Sequence, residues 1–528
     1  MSFVTLVPTV VILPILGAAL ALAFPHRKKV QATVTVATLC LVALIGGILM
    51  FAVDSQGTLV MEVGGWEAPF GIALVVDRLS ALLVTVSAIV LLAVLVFSIG
   101  QGLADGDEET PVSIFFPSYL VLGAGVFDAF IAGDLFNLYV AFEILLVASY
   151  VLLTMGGTAQ RIRAGVTYIV VSLVSSVLFL AAIALIYGAT GTVNLAQLSV
   201  RITELDPQMQ LTLNLLLLVA FGIKAAIFPL SFWLPDSYPT APAPVTAVFA
   251  GLLTKVGIYA ILRTQTLVFN DSDINELLMI IAGLTLIVGI LGAISQRDIK
   301  RLLSFTLVSH IGYLLFGVAI NSEAGHSATV YYIVHHIIVQ TTLFLAIGLV
   351  ERVAGSTSLD QVSGVLNKAP YVAILVFVTM LNLGGIPPFS GFIGKVGLFG
   401  AGVETGSPTA YWLVGIGALV SLLTLYALMR AWGLAFWRRE IKASTQTLAP
   451  LVLDPLQTPQ QEAKDVPRLM TFATTGMVVV TLLLTAFAGP LVGYAQRAGD
   501  NLETPEKQAA WYFERHSGEK ANSEEVTE

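Results

Sequence analysis

Apolar runs of about twenty residues, the length a helix needs to cross the hydrocarbon core of a bilayer, recur fourteen times along this 528-residue chain. They lie near 4–24, 30–53, 74–99, 112–133, 135–155, 164–187, 210–231, 242–264, 275–295, 301–320, 328–350, 370–398, 409–437 and 470–495. Few folds remain open to such a chain. In lipid every backbone N–H and C=O must find its partner within the protein, so runs of this length become helices. The expectation is an all-α polytopic membrane protein. Charge agrees: only 11% of residues are Asp, Glu, Lys or Arg, where a soluble domain carries about 25%. The start, MSFVTLVPTVVILPILGAAL, has no basic n-region and reads as a retained first span. The stretches 438–469 and 496–528 are the long polar ones, the second read as a weakly ordered tail.

Basic residues set an orientation, because loops on the cytoplasmic side collect Lys and Arg. With the N-terminus outside, sixteen of the 26 lysines and arginines fall in inside loops, among them Arg161, Arg163, Arg297, Lys300 and Arg301. Seven fall outside, including Arg78, Arg201, Arg263 and Arg497. Both ends are then outside. The acidic inside loop DGDEET runs against the bias.

The remaining three basic residues, Lys224, Lys255 and Lys395, sit inside apolar runs. A charged ammonium near mid-membrane costs about 2.5–3.5 kcal/mol on the insertion scale, so three of them point to movement of charge. Glu143 lies mid-span in GDLFNLYVAFEILLVASY and is the natural partner for Lys224. An amine out of water holds its proton only as firmly as its neighbours allow, and a carboxylate that approaches or withdraws changes that hold. Lys255, in PVTAVFAGLLTKVGIYAILR, has no local carboxylate and reads as a central relay; Lys395 follows a helix break and reads as an exit-side carrier. His310, His335 and His336 also fall inside spans. Adjacent helical residues point about 100° apart, so one of His335 and His336 is expected to face the pathway. His26 and His326 are read as loop residues and His516 as part of the tail. Hydroxyls such as Ser172, Ser175, Ser176, Thr254 and Ser309 could hold water, although Ser and Thr are ordinary packing residues between membrane helices.

Two spans carry breaks. Span seven, LLLLVAFGIKAAIFPLSFWLP, is interrupted by Pro229; span twelve, VTMLNLGGIPPFSGFIGK, by Gly384, Gly385, Pro387, Pro388 and Gly391. Proline removes a backbone donor, and unpaired backbone at membrane depth is tolerated only where protein or a wet cavity covers it. The breaks lie close to Lys224 and Lys395. A repeat accompanies them: YIVVSLVSSVLFLA…GTVNLAQL from Tyr168 matches YIVHHIIVQTTLFLA…GSTSLDQV from Tyr332, 164 residues on, with a one-residue slip between Tyr168 and Gly191. The copies are five spans apart and so cross the membrane in opposite directions, the inverted-repeat arrangement of secondary transporters.

Cys40 is the single cysteine, which leaves no disulfide, zinc site or iron–sulfur cluster within the chain. No phosphate-binding glycine loop appears, and nothing offers a nucleophile–base constellation. The expectation is therefore no cofactor, no metal and no soluble enzymatic chemistry.

The motifs DLFNLYVAFEILLVASY, FGIKAAIFPLSFWLPDSYPTAPAPVTAVFAGLLTKVGIYA, KRLLSFTLVSHIGY and GGIPPFSGFIGK span roughly 110–400. They resemble the proton-translocating antiporter-like family shared by Mrp-type multisubunit cation/proton antiporters and the membrane arm of respiratory complex I. GGWEAPFGIALVVDRLSALLV and WLPDSYPTAPAPVTA place the resemblance nearest the D-type branch. It implies fourteen transmembrane helices with two inverted five-helix units. The chain then divides into 1–110 with three spans, 111–265 and 266–437 as the two units, 438–469 as a cytoplasmic loop, 470–495 as span fourteen and 496–528 as the tail. It further implies Glu143 and Lys224 as an input pair, Lys255 as the centre and Lys395 as the terminal carrier, linked through His310 and His335 or His336. The implied partners are other subunits of a hetero-oligomeric complex in a bacterial plasma membrane, with H⁺ and Na⁺ as the ions moved. A proton-pumping subunit of complex I, M- or N-like, is the alternative, and a scaffold with inherited charges is the third reading. Gln340 departs from the family, which often has lysine there.

Overall fold

The computed structural model describes residues 3–102, 114–270, 274–439 and 465–514. A single-turn 3-10 segment leads into α1 (Thr9–Ala23), followed by α2 (Lys28–Gln56). A two-stranded antiparallel hairpin, β1 (Leu59–Glu62) and β2 (Ala73–Val76), then precedes α3 (Arg78–Gln101). The chain continues through α4 (Phe115–Ile131), α5 (Leu135–Thr154), α6 (Ala159–Thr190), the short α7 (Leu195–Arg201) and α8 (Pro207–Ala225). A turn region ends in α9 (Leu234–Ser237). Then come α10 (Ala243–Val248) and α11 (Thr254–Arg263), joined by a π-helical turn at Phe249–Leu253. Helices α12 (Asn275–Ser295), α13 (Ile299–Ile320), α14 (Glu323–Ala354), α15 (Val365–Lys368), α16 (Pro370–Gly384), α17 (Ser390–Glu404) and α18 (Pro408–Trp432) follow. Last are α19 (Arg468–Ala486), α20 (Ala488–Asn501) and α21 (Pro505–Gln508).

Among the described residues twelve helices are long and apolar enough to cross a membrane, and the predicted segments near 112–133 and 370–398 carry the shorter apolar helices Phe115–Ile131 and Pro370–Gly384. The core is central. The segment Ala243–Val268 and α14 are wholly buried over their apolar windows, whereas α1, α2 and α18 are one-third buried. Their outward faces, such as Leu44, Phe51, Trp412 and Leu422, are exposed and apolar, the pattern of helices whose outer solvent is not water.

Helices α6 and α14 have 32 residues each and begin 164 residues apart. Both end on a left-handed glycine, Gly191 and Gly355. The loops that follow repeat bond for bond. Leu135 N donates to Val193 O and Ile299 N to Thr357 O; Leu195 N donates to Gly133 O and Leu359 N to Arg297 O. Thr192 Oγ1 donates to Gln197 Oε1 at 2.6 Å and Ser356 Oγ to Gln361 Oε1 at 2.7 Å. Asp134 and Asp298 each cap the next helix, accepting from Asn137 N and Arg301 N. With equal helix lengths, the slip read between Tyr168 and Gly191 is not needed. Ser172 then corresponds to His336, and Ser176 to Gln340.

The breaks also correspond. Helix α8 stops at Ala225 with Ala226 at φ 58°, four residues short of Pro229; α16 stops at Gly384 with left-handed Gly385. After five residues the chain restarts as the fifteen-residue α17, while after α8 it runs through turns to the four-residue α9.

Two basic residues assigned to loops are buried. Arg263 pairs with Asp77 at 2.7 Å and also donates to Gln508, Ser80 and the Tyr259 hydroxyl. Lys300 pairs with Glu351 at 2.6 Å. The residues beyond 495 that are described are not loose either: α20 packs on the start of α14, and Ala498, Leu502, Gln508 and Ala509 are buried. The DGDEET loop, residues 440–464 and His516 lie outside the described residues.

Close helix contact is glycine-dependent at Gly257. A Cβ there would meet Ala225 N at 2.7 Å and Ala225 Cα at 2.9 Å, so a larger side chain must push α11 off the last turn of α8, the turn that carries Lys224. Gly257→Val is expected to lower stability by about 1–3 kcal/mol, the usual range for overpacking. Thermal unfolding of the purified protein measures it.

Candidate functional site

Lys224 is 7% exposed in the last turn of α8. Its Nζ donates to Ser176 Oγ at 3.3 Å and lies 4.8 Å from the centre of the Phe142 ring. Ser176 Oγ in turn donates to Glu143 Oε1 in a short bond. Among the described residues no direct ion pair joins Glu143 to Lys224; the α6 hydroxyl stands between them. The reason is helical phase, since Glu143 is half-buried at the edge of α5 while Lys224 points inward. A cavity of about 20 Å³, room for one water molecule, adjoins Lys224 and is bounded by Ser172, Tyr168, Trp233 and Tyr238.

Lys255 has no exposure at all. Its Nζ donates to Ala250 O, a carbonyl of the π-helical turn. Wider π-turns disrupt the regular carbonyl ladder, and this one presents an acceptor to the amine. Thr254 Oγ1 beside it has no hydrogen-bond partner among the described residues.

Lys395 is 3% exposed in α17 and reaches back to the broken end of α16. Its Nζ donates to Ser421 Oγ at 2.9 Å and lies at 3.4 and 3.5 Å from Gly384 O and Leu383 O, carbonyls left open where α16 stops. The ring of Tyr313 lies 5.1 Å away. The amine thus occupies the end of α16 as Lys224 occupies the end of α8, although the two lysines sit on opposite halves of their broken spans.

Near Lys255 and Lys395 lies a cluster of histidines and tyrosines. His310 Nδ1 is 3.3 Å from the Tyr332 hydroxyl, and its ring centre is 5.3 Å from that of His336. His335 Nδ1 is 2.9 Å from Ser390 Oγ, which donates to Asn382 Oδ1 at 3.1 Å. Gly391 fits here because a Cβ would strike Asn382 O and touch the His335 ring. His335 and His336 are both buried and face different neighbours, α17 and α13. Among the described residues the Nε2 atoms of His310, His335 and His336, and Nδ1 of His336, have no hydrogen-bond partner. Gln340 Nε2 donates to Leu303 O at 3.1 Å, and its Oε1 is unpartnered. His326 is not a loop residue but a buried member of α14, while His26 is exposed.

Ser176, Ser390, Asn382, Ser421, Tyr332 and Trp233 are contacts that sequence reasoning missed or, for Ser176, gave little weight. Their signal was faint: hydroxyls and aromatics are common in membrane helices, and which of them meets a lysine depends on helix rotation.

The family described as NADH:quinone oxidoreductase/Mrp antiporter, TM matches residues 132–424, the stretch that holds every one of these lysines and histidines. A D-type Na(+)/H(+) antiporter subunit from Alkalihalophilus pseudofirmus is 36% identical over 94% of this chain and 96% of its own length. This chain belongs to that NADH:quinone oxidoreductase/Mrp antiporter family. Among solved structures, a chain of the Mrp complex from Dietzia sp. DQ12-45-1b has a TM-score of 0.87 at 31% identity, covering 96% of this chain and 99% of that one. A chain of the archaeal membrane-bound sulfane sulfur reductase shares the fold, with a TM-score of 0.85 at 24% identity, covering 96% and 99%. The likeness to a subunit of the multisubunit Mrp complex supports a place for this family member in a hetero-oligomeric membrane complex.

Proposed function

We propose that this chain is a proton-conducting subunit of a multisubunit Na⁺/H⁺ antiporter and relays protons along its buried amines and imidazoles. One observation carries the reading. Lys224, Lys255 and Lys395 are all buried, and among the described residues each amine is held by hydroxyls or backbone carbonyls and by no directly bonded carboxylate. Groups so held can give up a proton without stranding an opposite charge. Glu143, through Ser176, is the input; Lys255 is the centre; Lys395 is the terminal carrier; His310, His335 and His336 link the last two. The unpartnered ring nitrogens and Thr254 Oγ1 are where water would complete the chain, since buried polar atoms of this kind usually have a partner.

The two corresponding helix–loop units are proposed to be inverted with respect to each other within a fourteen-span subunit. Its ends lie outside the plasma membrane of a bacterium. The second unit has Leu307 where the first has Glu143, so carboxylate control belongs to the first unit alone. Proton entry is worth about 2.3 kcal/mol per charge per 100 mV, and entry in excess of sodium exit would drive export. Lipid surrounds the apolar outer faces.

The alternative, a redox-driven pump subunit of complex I, rests on the family's breadth. Purification decides between them. Small antiporter subunits accompanying the chain, with proton movement started by adding Na⁺ to everted vesicles, bear out the proposal. Quinone-site and iron–sulfur subunits accompanying it would overturn it.

A further inference from the structure

A vestibule of about 410 Å³ opens between the start of α6 and the turn region after α8. Arg163 and Arg301 line it, together with Thr167, Asp236 and Ser237. Arg301 pairs with Asp236 at 2.8 Å, and Arg163 is exposed. Its inner end meets the Lys224 cavity at one side chain, Trp233, which lines both. The walls step across together. Thr167 faces the vestibule and Tyr168 the cavity; Ser237 faces the vestibule and Tyr238 the cavity. The Ser237 and Tyr238 hydroxyls are buried with no hydrogen-bond partner among the described residues, so the wall on either side of the indole is polar and unsatisfied.

Trp233 is 4% exposed, with the Tyr168 ring tilted against it at 5.4 Å and the Tyr238 ring edge-on at 5.6 Å. Its Nε1 donates to Ile223 O at 3.1 Å, the carbonyl just before Lys224. It stands in the turns between α8 and α9, not in a helix, so its backbone is not locked in a continuous i→i−4 ladder. Phe232 beside it is 63% exposed.

We propose that the vestibule is the water route to Lys224 from the face that carries Arg163 and Arg301, and that Trp233 is the positioning residue that closes it. The inference deepens the relay reading by naming where its first lysine meets water and what controls that meeting. Swinging the indole out breaks one hydrogen bond and two ring contacts, and joins the vestibule to the cavity. While it is in place, the amine exchanges protons only with Ser176 and what lies beyond.

Thiol accessibility in the assembled complex tests this, with Cys40 replaced by serine and a membrane-impermeant cationic methanethiosulfonate added to right-side-out or everted vesicles. Thr167→Cys is expected to react from one face only, with or without Trp233. Ser172→Cys, beside Lys224, is expected to react slowly beside Trp233 and at least about tenfold faster with Trp233→Ala, a factor worth 1.4 kcal/mol. Trp233→Phe, which keeps a ring there, is expected to stay near the slow rate. Should Trp233→Ala fail to assemble, Trp233→Leu serves the same comparison. The proposal falls if Ser172→Cys reacts as fast beside Trp233 as without it, if neither truncation speeds the reaction, or if Thr167→Cys is inert from both faces. Labelling reads the route and not the transport, so it keeps its meaning even where a Lys224 variant leaves transport intact.

Discussion

Replacing Lys224 or Lys255 by alanine abolishes Na⁺-dependent proton movement in everted vesicles containing the whole complex, while the complex still assembles. The loss expected is at least about a hundredfold, the lower end of what one positioned proton-transfer group contributes. Assembly should survive for a specific reason. The truncation leaves behind a hydroxyl at Ser176, which keeps Glu143, or a carbonyl at Ala250. Neither is itself a charge, and Glu143 keeps its bond from Ser176. Proton uptake followed with a pH-sensitive dye, beside gel filtration of the purified complex, separates loss of relay from loss of fold. Wild-type proton movement in either variant would refute the relay.

Arg263→Ala acts on stability instead, and strongly. The Asp77 side chain is 4% exposed and that of Arg263 is 7%, so removing the guanidinium leaves a buried carboxylate unpaired, at a cost of about 3–5 kcal/mol. The variant also loses the bonds to Gln508, Ser80 and Tyr259 that tie the C-terminal segment to α11 and α3. Asp77 Oδ1 additionally accepts from Ser80 N at the start of α3. The double variant Asp77→Asn, Arg263→Met keeps that cap, removes both charges and should recover part of the loss. Thermal unfolding of the complex measures both. A melting temperature for Arg263→Ala equal to wild type, or a double variant no better than the single one, would contradict the argument.

Much of the site was legible in the chain because membrane burial is expensive. Lys224, Lys255 and Lys395 stand out in any apolar run, and all three are buried. The breaks announced themselves through Pro229 and the Gly384–Pro388 stretch, and the 164-residue offset of Tyr168 and Tyr332 reappears in two helices of equal length. What stayed hidden depends on rotation and approach. Sequence places Glu143 in span five and Lys224 in span seven, but only helix phase decides that Ser176 of span six comes between them. The apparent slip arose because HisHis in α14 stands against hydroxyl-rich sequence in α6, where residue identity is a poor guide to register. Arg263 and Lys300 were assigned to loops because charge at a span's edge looks like a loop, while their acids, Asp77 and Glu351, are distant in the chain. The ordered C-terminal segment was missed because α20 is short and mixed in polarity, and is held by packing on α14.

The central claim is that the buried amines act by gaining and losing protons and not by their charge alone. Lys224→Arg isolates that difference, because a guanidinium keeps the positive charge and the donors but cannot be deprotonated in a protein. Proton movement driven by Na⁺ in liposomes reconstituted with the complex is the measurement. A fully assembled Lys224→Arg complex with no Na⁺-driven proton movement is the expected result; wild-type movement would show that a fixed charge at this position is enough.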